Sequence, residues 1–287
     1  RLIGKSVMYV SLEPCAHYGK TPPCADLIIQ HGIPRVVVGC RDPFPEVNGK
    51  GIEKLIKAGI AITTGVLEEE CRALNKRFCV FHLRQLPYVV LKWAQSSDGA
   101  IAASDGSAVQ ISSVYTNRLV HRWRSEESAI LIGTRTAILD NPSLTTRLWP
   151  GKNPVRLVID RELKLPDTLQ LFDTKASTVV FNEHRHTVKD GKDVLTGGNW
   201  FYRVRNDTGM VEQLLDALYR MRILSVLVEG GAQLLESFIH EGMWDEARII
   251  TNETLTISGG LQAPRLRGAR LTGKEHLFSD SIAYYRL

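Results

Sequence analysis

The chain has 287 residues, 44% hydrophobic and 23% charged, with 23 glycines, 12 prolines and a formal net charge of +5. A chain of this length usually divides into two cores, and so ordinary a globular composition excludes collagen-like, coiled-coil and disordered classes. Interspersed charges, no apolar run near the ~20 residues of a membrane span and no secretory leader exclude nucleic acid and membrane as expected partners and favour a small anionic ligand.

Taken in chain order, β-branched runs alternate with helical spacing, the rhythm of an α/β protein with mostly parallel strands. Strands are predicted over 7–11, 35–39, 60–65, 88–93, 128–133, 155–160, 177–181, 223–228 and 246–251. Helices are predicted over 25–30, 52–57, 67–84, 116–124, 208–221 and 234–241. Pro87 ends the third helix and forces an extended entry into the next strand, so one domain is placed at 1–86 and a second at 87–287. Residue 1 is Arg rather than Met and strand-like residues begin at Val7, so an N-terminal piece is expected to be missing. Five cysteines, an odd number, do not read as a disulfide framework and point to a reducing, cytoplasmic setting.

The first motif follows the first strand. Glu13-Pro14-Cys15 returns nine residues later as Pro22-Pro23-Cys24 at a helix start, a spacing that can bring two thiols together. A helix N-terminus lowers a thiol pKa, and two thiolates plus one imidazole leave an open position on zinc for an activated water. Two buried cysteines in a proline-rich turn remain an alternative. The run from Ser11 to Asp26, S-L-E-P-C-A-H-Y-G-K-T-P-P-C-A-D, resembles the zinc-dependent deaminases, and specifically the deaminase half of the bifunctional riboflavin-biosynthesis deaminase-reductases. The resemblance implies a cytidine-deaminase-like three-layer domain, N-terminally incomplete here, with Cys15 and Cys24 as zinc ligands. It further implies substrate contacts from His17, Lys20 and Asp42, although Asp42 also reads as a turn residue before Pro43. The His-x-Glu segment that supplies the third ligand and the catalytic Glu in that family is absent from this sequence.

The second half has no G-x-G-x-x-G after a strand, which disfavours a Rossmann site. Instead, the strand ending at Val228 runs into Glu229-Gly230-Gly231-Ala232 and a helix. Paired glycines there let backbone N–H groups approach a phosphate, though a tight turn with nothing bound has the same signature. Three further segments precede it: Lys92 to Gly99, Gly133 to Arg147 and Val155 to Arg161. Their order resembles the reductase half of the same bifunctional family, which implies a dihydrofolate-reductase-like α/β domain. That resemblance implies that NADPH is lined by Ala94, Gln110, Thr136, Asp140, Arg161 and Gly231, Ala232, Gln233, Leu234, Leu235, Glu236 and Ser237. Substrate contacts are implied for Ala108, Arg124, Leu144, Arg147 and Glu229. Guanidinium forks at Arg124 and Arg147 suit a phosphorylated substrate, and Arg161 suits the coenzyme 2′-phosphate, although a single Arg is more often solvated. Lys92 is the candidate to polarise or protonate the ribose, with a solvent-facing strand residue as the alternative, and Glu229 the candidate to grip hydroxyls or pyrimidine.

The expected function is deamination of 2,5-diamino-6-(5-phosphoribosylamino)pyrimidin-4(3H)-one followed by NADPH-dependent reduction of the ribosyl group to ribityl, with NADPH and Zn²⁺ as cofactors. The expected assembly is a homo-oligomer. A reductase with an inert deaminase remnant, and a nucleic-acid deaminase or RNA-binding module, stand as alternatives. His184, His186, Cys40, Cys71 and Cys79 read as structural.

Overall fold

The computed structural model describes residues 2–19, 21–44, 47–107 and 109–287. Lys20 and Ala108, two of the expected substrate contacts, lie outside the described residues. Two compact units are present, Arg1–Leu86 and Pro87–Leu287. Among the described residues no helix is long and apolar enough to cross a membrane.

In the first unit, β1 (Val7–Leu12), α1 (Cys24–Gln30), β2 (Arg35–Cys40), α2 (Lys50–Lys57) and β3 (Ala61–Thr64) alternate, and the three strands form a parallel sheet in the order β1-β2-β3. Val36 and Val38 of β2, Ala25 and Ile28 of α1 and Leu55 of α2 make its core. The spacing predicts one helix over 67–84, but the chain forms α3 (Glu68–Leu74) and α4 (Lys76–Arg84). Asn75 causes the break, because its side-chain amide donates to Cys71 O at 2.8 Å and so competes with the helix ladder.

The second unit begins with β4 (Tyr88–Ser96) and β5 (Ala100–Ala102), followed by α5 (Val114–Glu126), whose first turn is capped by the Ser113 hydroxyl accepting from Thr116 N. Then come β6 (Ala129–Ile132), α6 (Thr134–Asp140), β7 (Val155–Ile159), β8 (Thr178–Asn182), β9 (Asn199–Arg203), α7 (Met210–Arg220), β10 (Ser225–Gly230) and α8 (Ala232–His240). The chain closes with β11 (Glu246–Asn252), β12 (Leu261–Gln262), β13 (Arg270–Leu277) and β14 (Asp280–Arg286). Nine strands form one sheet in the order β13-β14-β11-β4-β10-β6-β7-β8-β9, parallel from β11 to β9 and antiparallel through the β13–β14 hairpin. All four residues of β6 and the first four of β10 are buried, as continuous apolar runs require when both faces of a parallel sheet are covered.

The register places the chemistry. Leu91 of β4 pairs with Val228 of β10, so Lys92, midway along β4, stands beside Glu229 near the carboxyl end of the adjacent parallel strand. The β10–β6 ladder shifts between Val228 and Gly230, a local irregularity that re-aims Glu229. The crevice beyond those strand ends is where an open α/β sheet accepts ligands.

Candidate active sites

The first unit encloses a cavity of 660 Å³ lined by Cys15, His17, Cys24, Asp42, Phe44 and His82 among others. The loop after β1 folds back so that Cys24 N, at the first residue of α1, donates to Cys15 Sγ at 3.3 Å. The predicted thiol pair is thus brought together, but the expectation of a lowered thiol pKa at the helix start is not met at Cys24. Burial and the adjacent Cys15 thiol push it up. His17 lies in the same cavity with Nδ1 buried and unpartnered, its ring 5.8 Å from that of Phe44. Asp42 is the turn residue of one of its readings and also faces the cavity. It lines the cavity, and its Oδ1 accepts from Phe44 N at 2.8 Å to shape the turn. Burial raises its carboxyl pKa, against the pull of that N–H.

Among the described residues no group of three His, Cys, Asp or Glu side chains is placed to hold a metal ion. A catalytic zinc takes three protein ligands and an open position, so the described donors do not complete one. Glu13, the nearest acid in sequence to Cys15, is occupied structurally. Its Oε2 accepts from Asp42 N at 3.3 Å and Gly49 N at 2.9 Å, and its Oε1 from Gly51 N at 3.0 Å and Ile52 N at 3.2 Å. A Cβ on Gly51 would lie 1.8 Å from Pro14 O, so only glycine permits this approach. Sequence reading missed Glu13 because its partners are backbone amides far along the chain.

The second unit carries two cavities, of 390 Å³ and 450 Å³, that share Arg135, Thr136 and Gly231 in their walls. Lys92, Ala94, Gln110, Arg124, Asp140, Leu144, Glu229, Ala232 and Leu235 line the first, and Arg161, Gln233, Leu234 and Ser237 the second. Glu236 lines neither and is exposed on α8. Arg147 does not reach the first cavity but lines a separate open recess with Arg118 and Trp149.

At the floor of the first cavity stands a buried ionic cluster. Arg124 Nε donates to Glu229 Oε1 at 2.9 Å and Nη2 to Oε2 at 2.7 Å, while Lys92 Nζ lies 3.9 Å from Oε2. The side chains of Lys92, Arg124 and Glu229 are 12%, 13% and 5% exposed, which removes the solvent-facing reading of Lys92. Burial alone would raise the Glu229 carboxyl pKa, but the charges of Arg124 and then Lys92 outweigh it and hold it below the usual range. Burial lowers the Lys92 ammonium, against the pull of Glu229. The fork of Arg124, read from sequence as a phosphate clamp, is engaged by Glu229 in this structure.

Behind this cluster sits His121, a residue to which the sequence reading gave no role. It is 5% exposed, and its Nδ1 accepts from Leu148 N at 3.4 Å. Burial first, then the charges of Arg124 and Arg147, lower it from the ordinary 6.5 to about 4, with Glu229 and a Thr145 backbone hydrogen bond pulling the other way. A depressed imidazole binds fewer protons in the folded than in the unfolded chain. Its stabilising contribution is therefore complete above the unfolded value of 6.5 and declines as pH falls toward 4. Thermal midpoints measured against pH should fall on this acid limb, and the fall should shrink in His121→Gln.

The glycine turn between β10 and α8 forms where the sequence places it. Gly231, with φ +83°, precedes α8, and a Cβ on Gly230 would lie 2.9 Å from Thr136 Cγ2. This open backbone, at the junction of the two cavities, fits an extended dinucleotide. Gly231→Ala is expected to destabilise the unit by about 1–3 kcal/mol through backbone strain and to weaken coenzyme binding, as calorimetry and a fluorescence titration would register. Arg161 is half-tied, donating to Glu183 and Asn206. Arg156, fully buried in β7, is structural: it donates to Asp173 Oδ1 at 2.8 Å, to Gln170 O at 3.0 Å and to Ala176 O at 2.6 Å.

Comparison with known proteins bears on both units. The RibD C-terminal domain family matches residues 87–274. The chain is 41% identical over 249 residues to the riboflavin biosynthesis protein RibD of Aquifex aeolicus, covering 84% of this chain and 67% of that one. It is 42% identical over 262 residues to the riboflavin biosynthesis protein RibD of Bacillus amyloliquefaciens, covering 90% of this chain and 70% of that one. It also superposes on the crystal structure of a diaminohydroxyphosphoribosylaminopyrimidine deaminase/5-amino-6-(5-phosphoribosylamino)uracil reductase from Thermotoga maritima with TM-score 0.82 and 34% identity, covering 96% of this chain and 77% of that one. Acinetobacter baumannii RibD gives TM-score 0.84 at 29% identity, with 96% and 79% covered. These likenesses bear out the α/β reading.

Proposed function

The chain belongs to the RibD family, the bifunctional deaminase-reductases of riboflavin biosynthesis, and from that premise we propose that Pro87–Leu287 is an NADPH-dependent reductase. Its substrate in this proposal is 5-amino-6-(5-phosphoribosylamino)uracil, whose ribosyl group becomes ribityl. In the same proposal Arg1–Leu86 belongs to the deaminase half, with Cys15 and Cys24 as two zinc ligands and His17 and Asp42 facing 2,5-diamino-6-(5-phosphoribosylamino)pyrimidin-4(3H)-one. The pairing of those thiols in one cavity supports that assignment.

The observation that carries the reductase reading is the buried Lys92–Glu229–Arg124 cluster in the wall of the first cavity, which shares Arg135, Thr136 and Gly231 with the second. The reduced nicotinamide supplies a hydride when bound. The chain's own work is to hold the sugar and manage a proton. Lys92, with its ammonium destabilised by burial, is suited to give a proton to the departing ribose ring oxygen. Glu229 keeps lone pairs beyond those used by Arg124, so it can still accept from a ribose hydroxyl or a pyrimidine N–H. Leu144, Gln110 and the α6 residues Thr136 and Asp140 close the walls around donor and acceptor, which supports near-contact geometry.

The test is coenzyme oxidation in the presence of the phosphoribosylamino-uracil, with the ribityl product identified by mass. Absence of NADPH uptake by folded protein would overturn the reading. Arg161→Ala is expected to weaken NADPH about tenfold or more and to leave NADH unchanged, since only the former carries the 2′-phosphate that the guanidinium would meet. Equal losses for both coenzymes would remove Arg161 from that role.

A further inference from the structure

We infer that His121 is a positioning residue for the substrate's phosphate: from α5 its imidazole anchors the loop that carries Leu144, in the wall of the first cavity, and Arg147, in the separate open recess, and so fixes where Arg147 presents its charge to a phosphate that reaches that recess. The inference rests on the reading of the second unit as a reductase of a phosphorylated substrate.

The 141–148 loop is strained and held at several points. Asn141 and Leu144 have φ +39° and +51°, a left-handed backbone that non-glycine residues adopt only when their surroundings impose it. Thr146 is fixed at its far side, donating to Asn153 Oδ1 through both N, at 3.0 Å, and Oγ1, at 2.9 Å. On the near side two successive turns of α5 hold the loop: Arg124 Nη1 donates to Thr145 O at 3.4 Å, and His121 Nδ1 accepts from Leu148 N at 3.4 Å. Arg147 lies between those two attachments, and its Nη1 donates to Thr145 Oγ1 at 3.2 Å. The arginine itself is exposed, tethered through that Nη1 contact while its backbone is fixed on either side. His121 can do this only as an acceptor, which requires the neutral ring with a bare Nδ1. Arg124 and Arg147 flank it and Glu229 lies beyond, so a second proton on the ring would both break the anchor and add a third positive charge.

The experiment compares His121→Leu, which fills the space without an acceptor, with His121→Asn, whose Oδ1 falls near the position of Nδ1. Leucine is expected to raise KM for the phosphoribosylamino-uracil about tenfold, as for loss of one hydrogen bond in a buried setting, while KM for NADPH holds and kcat changes less than about threefold. Asparagine should restore most of the lost affinity. With the dephosphorylated ribosylamino-uracil, wild type and leucine variant should share one KM. An unchanged KM in leucine, an equal rise for both substrates, or asparagine behaving as leucine would overturn the inference. Should leucine fail to fold, His121→Gln, whose amide reaches past Nδ1, takes its place with the same expected and overturning outcomes. Wild-type protein inactive toward both substrates would instead sink the reductase reading itself.

Discussion

Replacing Glu229 with alanine is expected to destabilise Pro87–Leu287 by about 3–5 kcal/mol, a fall of roughly 6–20 °C in thermal midpoint for a unit of this size, and to remove measurable reduction. The reason is asymmetry of charge. With Glu229 present, two buried cations share one carboxylate that receives the Nε and Nη2 donors of Arg124. Without it, Arg124 and Lys92 remain in low dielectric with no counter-charge, and breaking one member of a buried pair costs far more than deleting the pair together. Glu229→Gln keeps the shape and one acceptor, so it should lose less stability than alanine while still lowering turnover or substrate affinity and sparing NADPH affinity. The double variant Arg124→Met, Glu229→Leu should recover much of the midpoint and none of the activity. Calorimetry on the three variants beside wild type checks this. A midpoint shift below about 1 kcal/mol for alanine would mean that the cluster is far better hydrated than its burial implies.

Lys92→Met should show the opposite pattern. Methionine fills the lysine stem and leaves the Glu229–Arg124 pair complete, so the thermal midpoint should hold or rise slightly. The rate of the hydride-transfer step should nevertheless fall by about 10²–10⁴, the usual worth of a positioned proton donor. The pH profile provides a second check. Burial lowers the Lys92 ammonium, so a reaction that needs its proton declines as pH rises through that lowered value, earlier than for an ordinary lysine. Wild type should show this alkaline limb and the variant should not. A single-turnover rate within threefold of wild type would remove Lys92 from proton transfer.

Much of this site is legible in the sequence, and the parts that are not have specific reasons. Glu229 and Gly231 stand where β10 gives way to a glycine-bearing turn, whereas Lys92, which the sequence places near a strand end, lies midway along β4, which runs on to Ser96. Pro87 marks the division between the two units because it cannot continue the preceding helix. Arg124 is legible as a cation at a helical spacing, but only the register of β10 shows that Glu229 takes its Nε and Nη2 donors. His121 and Arg118 lie on α5, and a helix gives no local pattern that separates a buried anchor from a surface polar residue. The β13–β14 hairpin was not anticipated because β13 is an outer strand with almost every residue exposed, so it carries no alternation of apolar and polar side chains. Strand β9, at the opposite edge, is short and mostly half-buried for the same reason.

The carboxylate of Glu13 has a consequence for how the first unit loosens. Four amides, from Asp42, Gly49, Gly51 and Ile52, converge on two oxygens at the end of β1. Releasing any one of them leaves a sequestered acid with fewer donors, which makes the next release no easier to achieve separately. Asp42, Gly49, Gly51 and Ile52 and the end of β1 are therefore expected to open together, with hydrogen exchange at those four amides sharing a single rate-setting event rather than fraying in turn.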